Sequence, residues 1–263
     1  MIVQIYEIQT PQEAEKCIET GVDHIGSVLL SQNNWRIPSL KEVFLLSERT
    51  EIKNSLIPLF REVDSLYRAM DYYRPHYIHF CDSLSAREKG EAALDECVIF
   101  QSRLKEKFPE IKIIRSIPVP QKDISPDFPS LETAHVLEPV SDMFLIDTWL
   151  DKTPVQGYIG ITGKTADWET AKELVLQSKI PVILAGGLSP ENVYDALMKV
   201  LPVGADSCTM TNMMDRDGRP IRFKKDFRRV DEFVRMVRQA ERAIHQKNES
   251  GNVKIAKKDP PDL

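Results

Sequence analysis

Short apolar runs recur along the chain at near-regular intervals, and each is followed by a longer stretch whose apolar positions have helical spacing. The runs are residues 2 to 6, 23 to 30, 56 to 60, 77 to 80, 111 to 117, 143 to 147, 182 to 185 and 205 to 209. Their length is that of buried strands, and the stretches between them read as helices. Thr10-Pro11-Gln12-Glu13 is a helix start, with a capping hydroxyl, proline at the first helical position and an acid in the first turn. That helix runs to near Gly21. Further helices are expected after Pro38 with Ser39 as cap, over 64 to 73, 86 to 107, 168 to 176, 189 to 200 and 225 to 246. Pro118 to Pro129 holds four prolines and is read as a surface loop, because strand-helix alternation resumes after it. The helix after that loop has the weakest pattern.

Eight strand-helix units in strict alternation predict an α/β fold, a single (β/α)8 TIM barrel over residues 1 to 247 with a flexible tail over 248 to 263. An open doubly wound sheet would alternate too, but no Gly-x-Gly-x-x-Gly turn follows the first strand. The tail has few apolar groups to bury.

Composition narrows the function. At 263 residues, 42% hydrophobic and 29% charged, the chain has the make-up of an ordinary globular domain, and its net charge of -5 gives no footprint for nucleic acid or a membrane surface. Cys17, Cys81, Cys97 and Cys208 have neither the spacing of a metal site nor that of a disulfide framework. No leader and no membrane span is evident. The expectation is a cytoplasmic protein with reduced thiols, no metal and no cofactor; its oligomeric state is not legible.

Chemistry in such a barrel collects at the C-terminal ends of the strands. Asp147 follows four apolar residues, where a carboxylate leaves the core and meets the barrel mouth, so partial burial would raise its pKa and make it a general acid. It could equally be a loop or capping acid. Gly186-Gly187 followed by Ser189 suits either a tight turn or an anion cradle made of helix-opening amides. Tyr6, Ser31, Phe60, Cys81, Pro118, Asp147, Gly186 and Thr209 should share one rim. Gly160-Ile161-Thr162-Gly163 reads as a flexible loop able to fold over a ligand. Gly163-Lys164-Thr165 lacks the upstream glycine spacing of a P-loop, so nucleotide binding by that motif is rejected.

Asp147-Thr148, then Thr162-Gly163-Lys164-Thr165-Ala166-Asp167-Trp168, then Ile183-Leu184-Ala185-Gly186-Gly187-Leu188-Ser189-Pro190-Glu191-Asn192-Val193 resemble phosphoribosylanthranilate isomerase, the ribulose-phosphate-binding (β/α)8 enzyme of tryptophan biosynthesis. The likeness is specific over the last third of the barrel and pattern-level before it. It implies a phosphorylated ribose-type substrate and an intramolecular aldose-ketose isomerisation without a cofactor. Asp147 would protonate the ring oxygen, Arg36 would meet a substrate carboxylate, and Gly160, Thr162, Gly163, Gly186, Gly187, Ser189 and Thr209 would bind substrate and phosphate.

Two departures from the family pattern bear on activity. Strand one reads Gln4-Ile5-Tyr6-Glu7, where the family has Lys-Ile-Cys-Gly with the cysteine as general base. Strand eight has Cys208, Thr209 and Met210 where the family has Ser-Ser-Gly, which alters the phosphate turn. An unperturbed phenol has a pKa of about 10 and is almost wholly protonated at neutral pH. Glu7 is the candidate substitute base, although alternation along a strand turns it from the face Tyr6 occupies. Turnover at least about a hundredfold below that with a positioned base is therefore expected. The competing readings are a non-catalytic barrel binding a phosphometabolite or protein partner, and a phosphate-sugar lyase or epimerase with Glu7 or Lys164 as base. The loop 213 to 226, with five basic residues, is read as a solvated excursion or a lid over an anionic ligand.

Overall fold

The computed structural model describes residues 1–84, 92–122, 128–150 and 155–249. Eight parallel strands close into a barrel in chain order. They are β1 (Ile2–Ile5), β2 (His24–Leu29), β3 (Lys53–Pro58), β4 (Tyr77–Phe80), β5 (Lys112–Pro120), β6 (Met143–Trp149), β7 (Val182–Leu184) and β8 (Gly204–Ser207). The seam closes with β1 against β8, Gln4 opposite Asp206 and Ile5 opposite Ser207. Helices α1 (Pro11–Glu19), α2 (Pro38–Leu46), α3 (Val63–Tyr73), α4 (Ala92–Lys107), α5 (Ser130–Leu137), α6 (Trp168–Gln177), α7 (Val193–Val200) and α8 (Phe227–Glu249) follow the strands in turn. The expected barrel is present. The expected tail from 248 lies almost wholly outside the described residues, as do residues 86–91 of the long helical segment.

Local chemistry accounts for the element ends. Thr10 caps α1 through the Glu13 amide, and the Glu13 carboxylate returns a contact to the Gln9 amide, a reciprocal capping box. Helix α2 departs from expectation: Ile37, not Ser39, is its cap, and Pro38 at the first helical position needs no amide partner. Strand β3 begins three residues earlier than its apolar run, because Lys53 and Asn54 pair with His24 and Ile25. Strand β5 extends through Pro118 and Pro120, which pair with Asp147 and Trp149 of β6. Segment 212 to 225 is no free excursion. It forms a two-stranded hairpin, β9 (Asn212–Met214) and β10 (Pro220–Lys225).

Alternation along the strands sorts side chains into two layers. Val3, Ile5, Ile25, Leu56, Ile78, Ile113, Phe144, Ile146 and Leu184 face the helices and make the outer core. Tyr6, Val28, Ile57, Tyr77, Cys81, Ile114, Met143, Leu145, Ile183 and Ala185 fill the barrel itself. Such an interior is a packed core, so each polar group in it needs a partner. The Tyr6 hydroxyl lies 2.5 Å from His79 Nδ1 and accepts from Ser55 Oγ at 3.0 Å, while His79 Nε2 meets Ser116 Oγ at 2.7 Å. This chain of hydrogen bonds crosses the barrel from β3 to β5. Burial pushes His79 down to about 3, so the imidazole is neutral and can both donate and accept.

The Tyr6 ring packs against Gly26 of β2. A Cβ at Gly26 would stand 1.9 Å from the ring carbons, so glycine is required there for room. Gly26→Ala should cost at least about 2 kcal/mol, the scale of a core forced open. In a Tyr6→Cys background the same change should cost far less, because the ring is gone. Urea unfolding of the four-member cycle measures this, and additive effects would contradict the packing described.

Candidate active site

Strand β6 carries Asp147 to the mouth, where it lines a small cleft with Ile161 to Gly163, Ala185 to Leu188 and Asp206 to Met210. The volume is about 30 Å³. The loop between β6 and α6 closes over it. Ile159 donates its amide to the Cys81 carbonyl at 2.8 Å and buries its side chain in the barrel, and the Ser83 amide bonds to Gly157. At the far end, Thr148 Oγ1 donates to the Lys164 carbonyl at 2.6 Å. Gly160, at φ +93, passes so close over Asp147 that a Cβ would come within 2.2 Å of Oδ2. Burial pushes Asp147 up to about 7, against the hydrogen bond it accepts from the Thr148 amide at 2.7 Å. A carboxyl poised there can hold or release a proton at neutral pH.

Asp206, opposite Gln4 across the seam, reaches the same cleft from β8 and accepts from Gln4 Nε2 at 3.2 Å. Burial raises its pKa well above the usual carboxylate range, and the charge of Asp147 raises it further. Sequence reasoning passed over Asp206 as a site residue. The signal was the alternation Gly204, Asp206, Cys208, which turns the acid inward.

The glycines act differently from expectation. Helix α7 begins at Val193, not at Ser189, and the amides of Ser189 and Glu191 are taken by Asn192 Oδ1 and Ser189 Oγ. A cradle of Ser189 to Glu191 amides is therefore corrected. Among the described residues, the cleft-lining amides that donate no hydrogen bond include those of Gly187, Leu188, Thr209 and Met210 on one side and of Ile161, Thr162 and Gly163 in the loop opposite. Met210, at the family's glycine, keeps an ordinary φ, and its carbonyl is held by Arg229 Nε at 2.7 Å. Its sulfur packs toward Gly163.

Four residues weighed for the site do not line the cleft. Arg36 lies over the Tyr72 ring at 5.0 Å, on the flank of α3 and away from the cleft. Glu7, 2% exposed and at φ 63, accepts from Arg222 Nε at 2.7 Å, the Phe223 amide at 3.2 Å and Asn212 Nδ2 at 3.4 Å. It anchors the hairpin and is not free to act as a base. The hairpin's other tie is Lys225, whose ammonium donates to the Asn212 side chain at 2.6 Å and the Cys208 carbonyl at 2.8 Å. Tyr6 sends its hydroxyl down into the barrel, and burial raises its pKa well above 10. Lys164 is exposed and does not line the cleft.

The comparisons bear on the family and the fold. The family model of N-(5'phosphoribosyl)anthranilate (PRA) isomerase matches residues 99–209, the half of the barrel that supplies the cleft. The N-(5'-phosphoribosyl)anthranilate isomerase of Methanocella arvoryzae is 29% identical over 238 residues, covering 90% of this chain and 97% of its own length. The chain is PRA-isomerase-like. The solved N-(5'-phosphoribosyl)anthranilate isomerase of Pyrococcus furiosus superposes with a TM-score of 0.59 at 25% identity, over 91% of this chain and 99% of that one. A phosphoribosyl anthranilate isomerase in complex with reduced 1-(o-carboxyphenylamino)-1-deoxyribulose 5-phosphate superposes with a TM-score of 0.63 at 16% identity, over 91% and 100%. Within this PRA-isomerase-like barrel the strand-one cysteine is absent and a tyrosine stands in its place.

Gly187 also tests the loop packing. It sits at φ +58, and a Cβ would meet the Lys164 carbonyl carbon at 2.6 Å, so any side chain at this position displaces the loop backbone. Gly187→Val should lower stability by roughly 2–4 kcal/mol from strain and displaced backbone together. Thermal unfolding reads this, and an unchanged midpoint would contradict the packing. For Asp147, the folded pKa of about 7 lies above the unfolded value of about 3.9. The native state then binds the extra proton, and its stability falls as pH rises from about 4 to about 7. Asp147→Asn should gain on the wild type across that window and keep a constant advantage above it. A difference independent of pH would contradict the raised pKa.

Proposed function

We propose that this barrel isomerises N-(5'-phosphoribosyl)anthranilate, or a near relative of it, to the 1-amino-1-deoxyketose, in the manner of the family it resembles. The observation that carries the reading is the buried carboxyl of Asp147 at the end of β6, poised near neutrality beside glycine and threonine amides that have no other partner. The supporting likeness spans nearly the full length of a relative with that activity.

In the proposed reaction Asp147 gives its proton to the furanose ring oxygen. The ring C–O bond breaks and the amine lone pair forms the imine. Loss of the C2 proton then gives the enolamine, which tautomerises to the ketone. The phosphate rests on the amides of Gly187, Leu188, Thr209 and Met210, where partial positive charge and bare N–H groups suit it. A phosphorylated small molecule is thus the ligand, and a place in tryptophan biosynthesis in the cytoplasm follows from the same reading. Among the described residues no helix is long and apolar enough to cross a membrane. A cleft of about 30 Å³ cannot take this substrate unless the loop over Asp147 lifts. Gly157, Gly160 and Gly163, each at positive φ, supply the backbone freedom for that movement.

The test is conversion of N-(5'-phosphoribosyl)anthranilate by purified protein, followed by chromatography of the ketose product. Wild type should turn it over. Asp147→Asn should lose about 10² to 10⁴ in kcat, the range of general acid-base catalysis, with KM changed little. Full activity in Asp147→Asn would contradict the assignment, and no conversion by folded wild type would contradict the function.

A further inference from the structure

Alternation along β5 turns Arg115 outward with Ile113 and Ile117, into the layer between the barrel and its helices. Arg115 is 1% exposed and pairs with Asp82, just past β4, through Nη1 at 2.8 Å and Nη2 at 3.2 Å. Its Nε has no partner among the described residues. Gln101 of α4 is in the same condition. Its Nε2 donates to the Val140 carbonyl at 3.0 Å and to Ser141 Oγ at 3.2 Å, while Oε1 is buried and unpaired among the described residues. Both side chains line one cavity of about 200 Å³ between the ends of β3 and β4 and the helices α3 and α4. Phe60, Leu66, Phe80 and Phe100 supply apolar wall, the last two meeting edge to face at 5.6 Å.

A buried donor and a buried acceptor each cost free energy until something meets them. A lone water can reach either, but a space of this size walled by aromatic rings gives water few polar partners, and an apolar cavity of about 150 Å³ already admits benzene. The charges lining the cavity balance among the described residues, with Arg61 and Arg115 against Asp82 and Glu96. An ionised ligand would therefore enter with no counter-charge left for it. We propose that this cavity is a second binding site, for a small neutral aromatic molecule carrying one hydrogen-bond acceptor for Arg115 Nε and one donor for Gln101 Oε1, and that its occupancy holds down the loop over Asp147.

The site touches the pinned end of that loop. Tyr158 is part of the cavity wall and pairs with Asp82 across an antiparallel bridge. On either side of it the Ser83 amide bonds to the Gly157 carbonyl and the Ile159 amide to the Cys81 carbonyl, both at 2.8 Å. Lifting the loop carries Tyr158 away and opens the wall, so the ligand binds the covered state more tightly than the open one. A ligand that binds one state better shifts the equilibrium toward it. Occupancy thus opposes entry of the phosphorylated substrate, and the coupling is reciprocal. The cavity and its effect on the loop stand apart from the isomerase reading; only the competition with that substrate rests on it.

Benzamide is the probe, a neutral ring with one amide carbonyl and one NH2 group. Calorimetric titration of the full chain should give a dissociation constant of about 1 mM or tighter. Benzoate, charged and without the donor, and toluene, without either polar group, should bind at least about tenfold more weakly, the worth of a lost hydrogen bond. Cys97→Leu, which extends a side chain into the cavity from α4, should keep the thermal midpoint at or above that of wild type and weaken benzamide at least about tenfold. Saturating benzamide should slow hydrogen exchange of the Ser83 and Ile159 amides at least about threefold, because both are donated across the pin. No benzamide binding at about 10 mM, or binding unchanged in Cys97→Leu, would overturn the site. Toluene binding as tightly as benzamide would overturn the polar recognition, and unchanged exchange under saturation would overturn the hold on the loop. None of these readouts involves turnover, so a wild type that fails to convert N-(5'-phosphoribosyl)anthranilate would fall on the isomerase reading alone.

Discussion

The inside of an eight-stranded barrel is a dry, filled space, and any polar group that alternation turns into it must find its partner there. This constraint decides what Tyr6 can do. Its ring occupies the room left by Gly26, and its hydroxyl is drawn into the line Ser55, Tyr6, His79, Ser116. A phenol satisfied in that way, with burial opposing its ionisation, serves the packing of the barrel and not proton abstraction. The tyrosine at the family's cysteine position is a change of role. Neutral His79 fits the same logic, since burial and the nearby Arg115 guanidinium outweigh the pull of Asp82 on an imidazolium.

The same constraint shapes the mouth. Two carboxyls are drawn into one cleft, and both are raised because water is kept away from them. What keeps it away is the loop over Asp147, pinned at one end by Ile159 to β4 and at the other by Thr148 to Lys164. Gly160, Gly186 and Gly187 hold positive φ and lie against Asp147, Thr148 and Lys164, where no side chain fits. On the opposite side the hairpin is tied to Glu7, itself at positive φ where the family's strand-one motif has glycine. A backbone conformation that suits glycine thus persists here with a glutamate, and the strain is offset by an ion pair and two further hydrogen bonds to its carboxylate.

The barrel was legible from its strand-length apolar runs, since parallel strands buried on both faces show continuous apolar stretches. Asp147 was legible because one acid ends such a run. Asp206 was harder to see: it lies inside β8, and only the alternation of Gly204, Asp206 and Cys208 marks it as inward. The Ser189 cradle was misread because Ser-Pro-Glu-Asn looks like a helix start, while Asn192 takes the Ser189 amide and delays the helix by a turn. The surroundings of Arg36 and Glu7 were not legible for a shared reason. Their fates depend on Tyr72, Arg222 and Phe223, partners 36 to 216 residues away along the chain.

The account turns on which groups surround the reacting carbons, and a crystal structure with reduced 1-(o-carboxyphenylamino)-1-deoxyribulose 5-phosphate bound would show them directly. It predicts the phosphate on the amides of Gly187, Leu188, Thr209 and Met210, the loop over Asp147 lifted, and the Asp147 carboxyl within hydrogen-bond reach of the oxygen that leaves the ring. A ligand seated away from Asp147, or with its C2 against the Tyr6 hydroxyl, would contradict it.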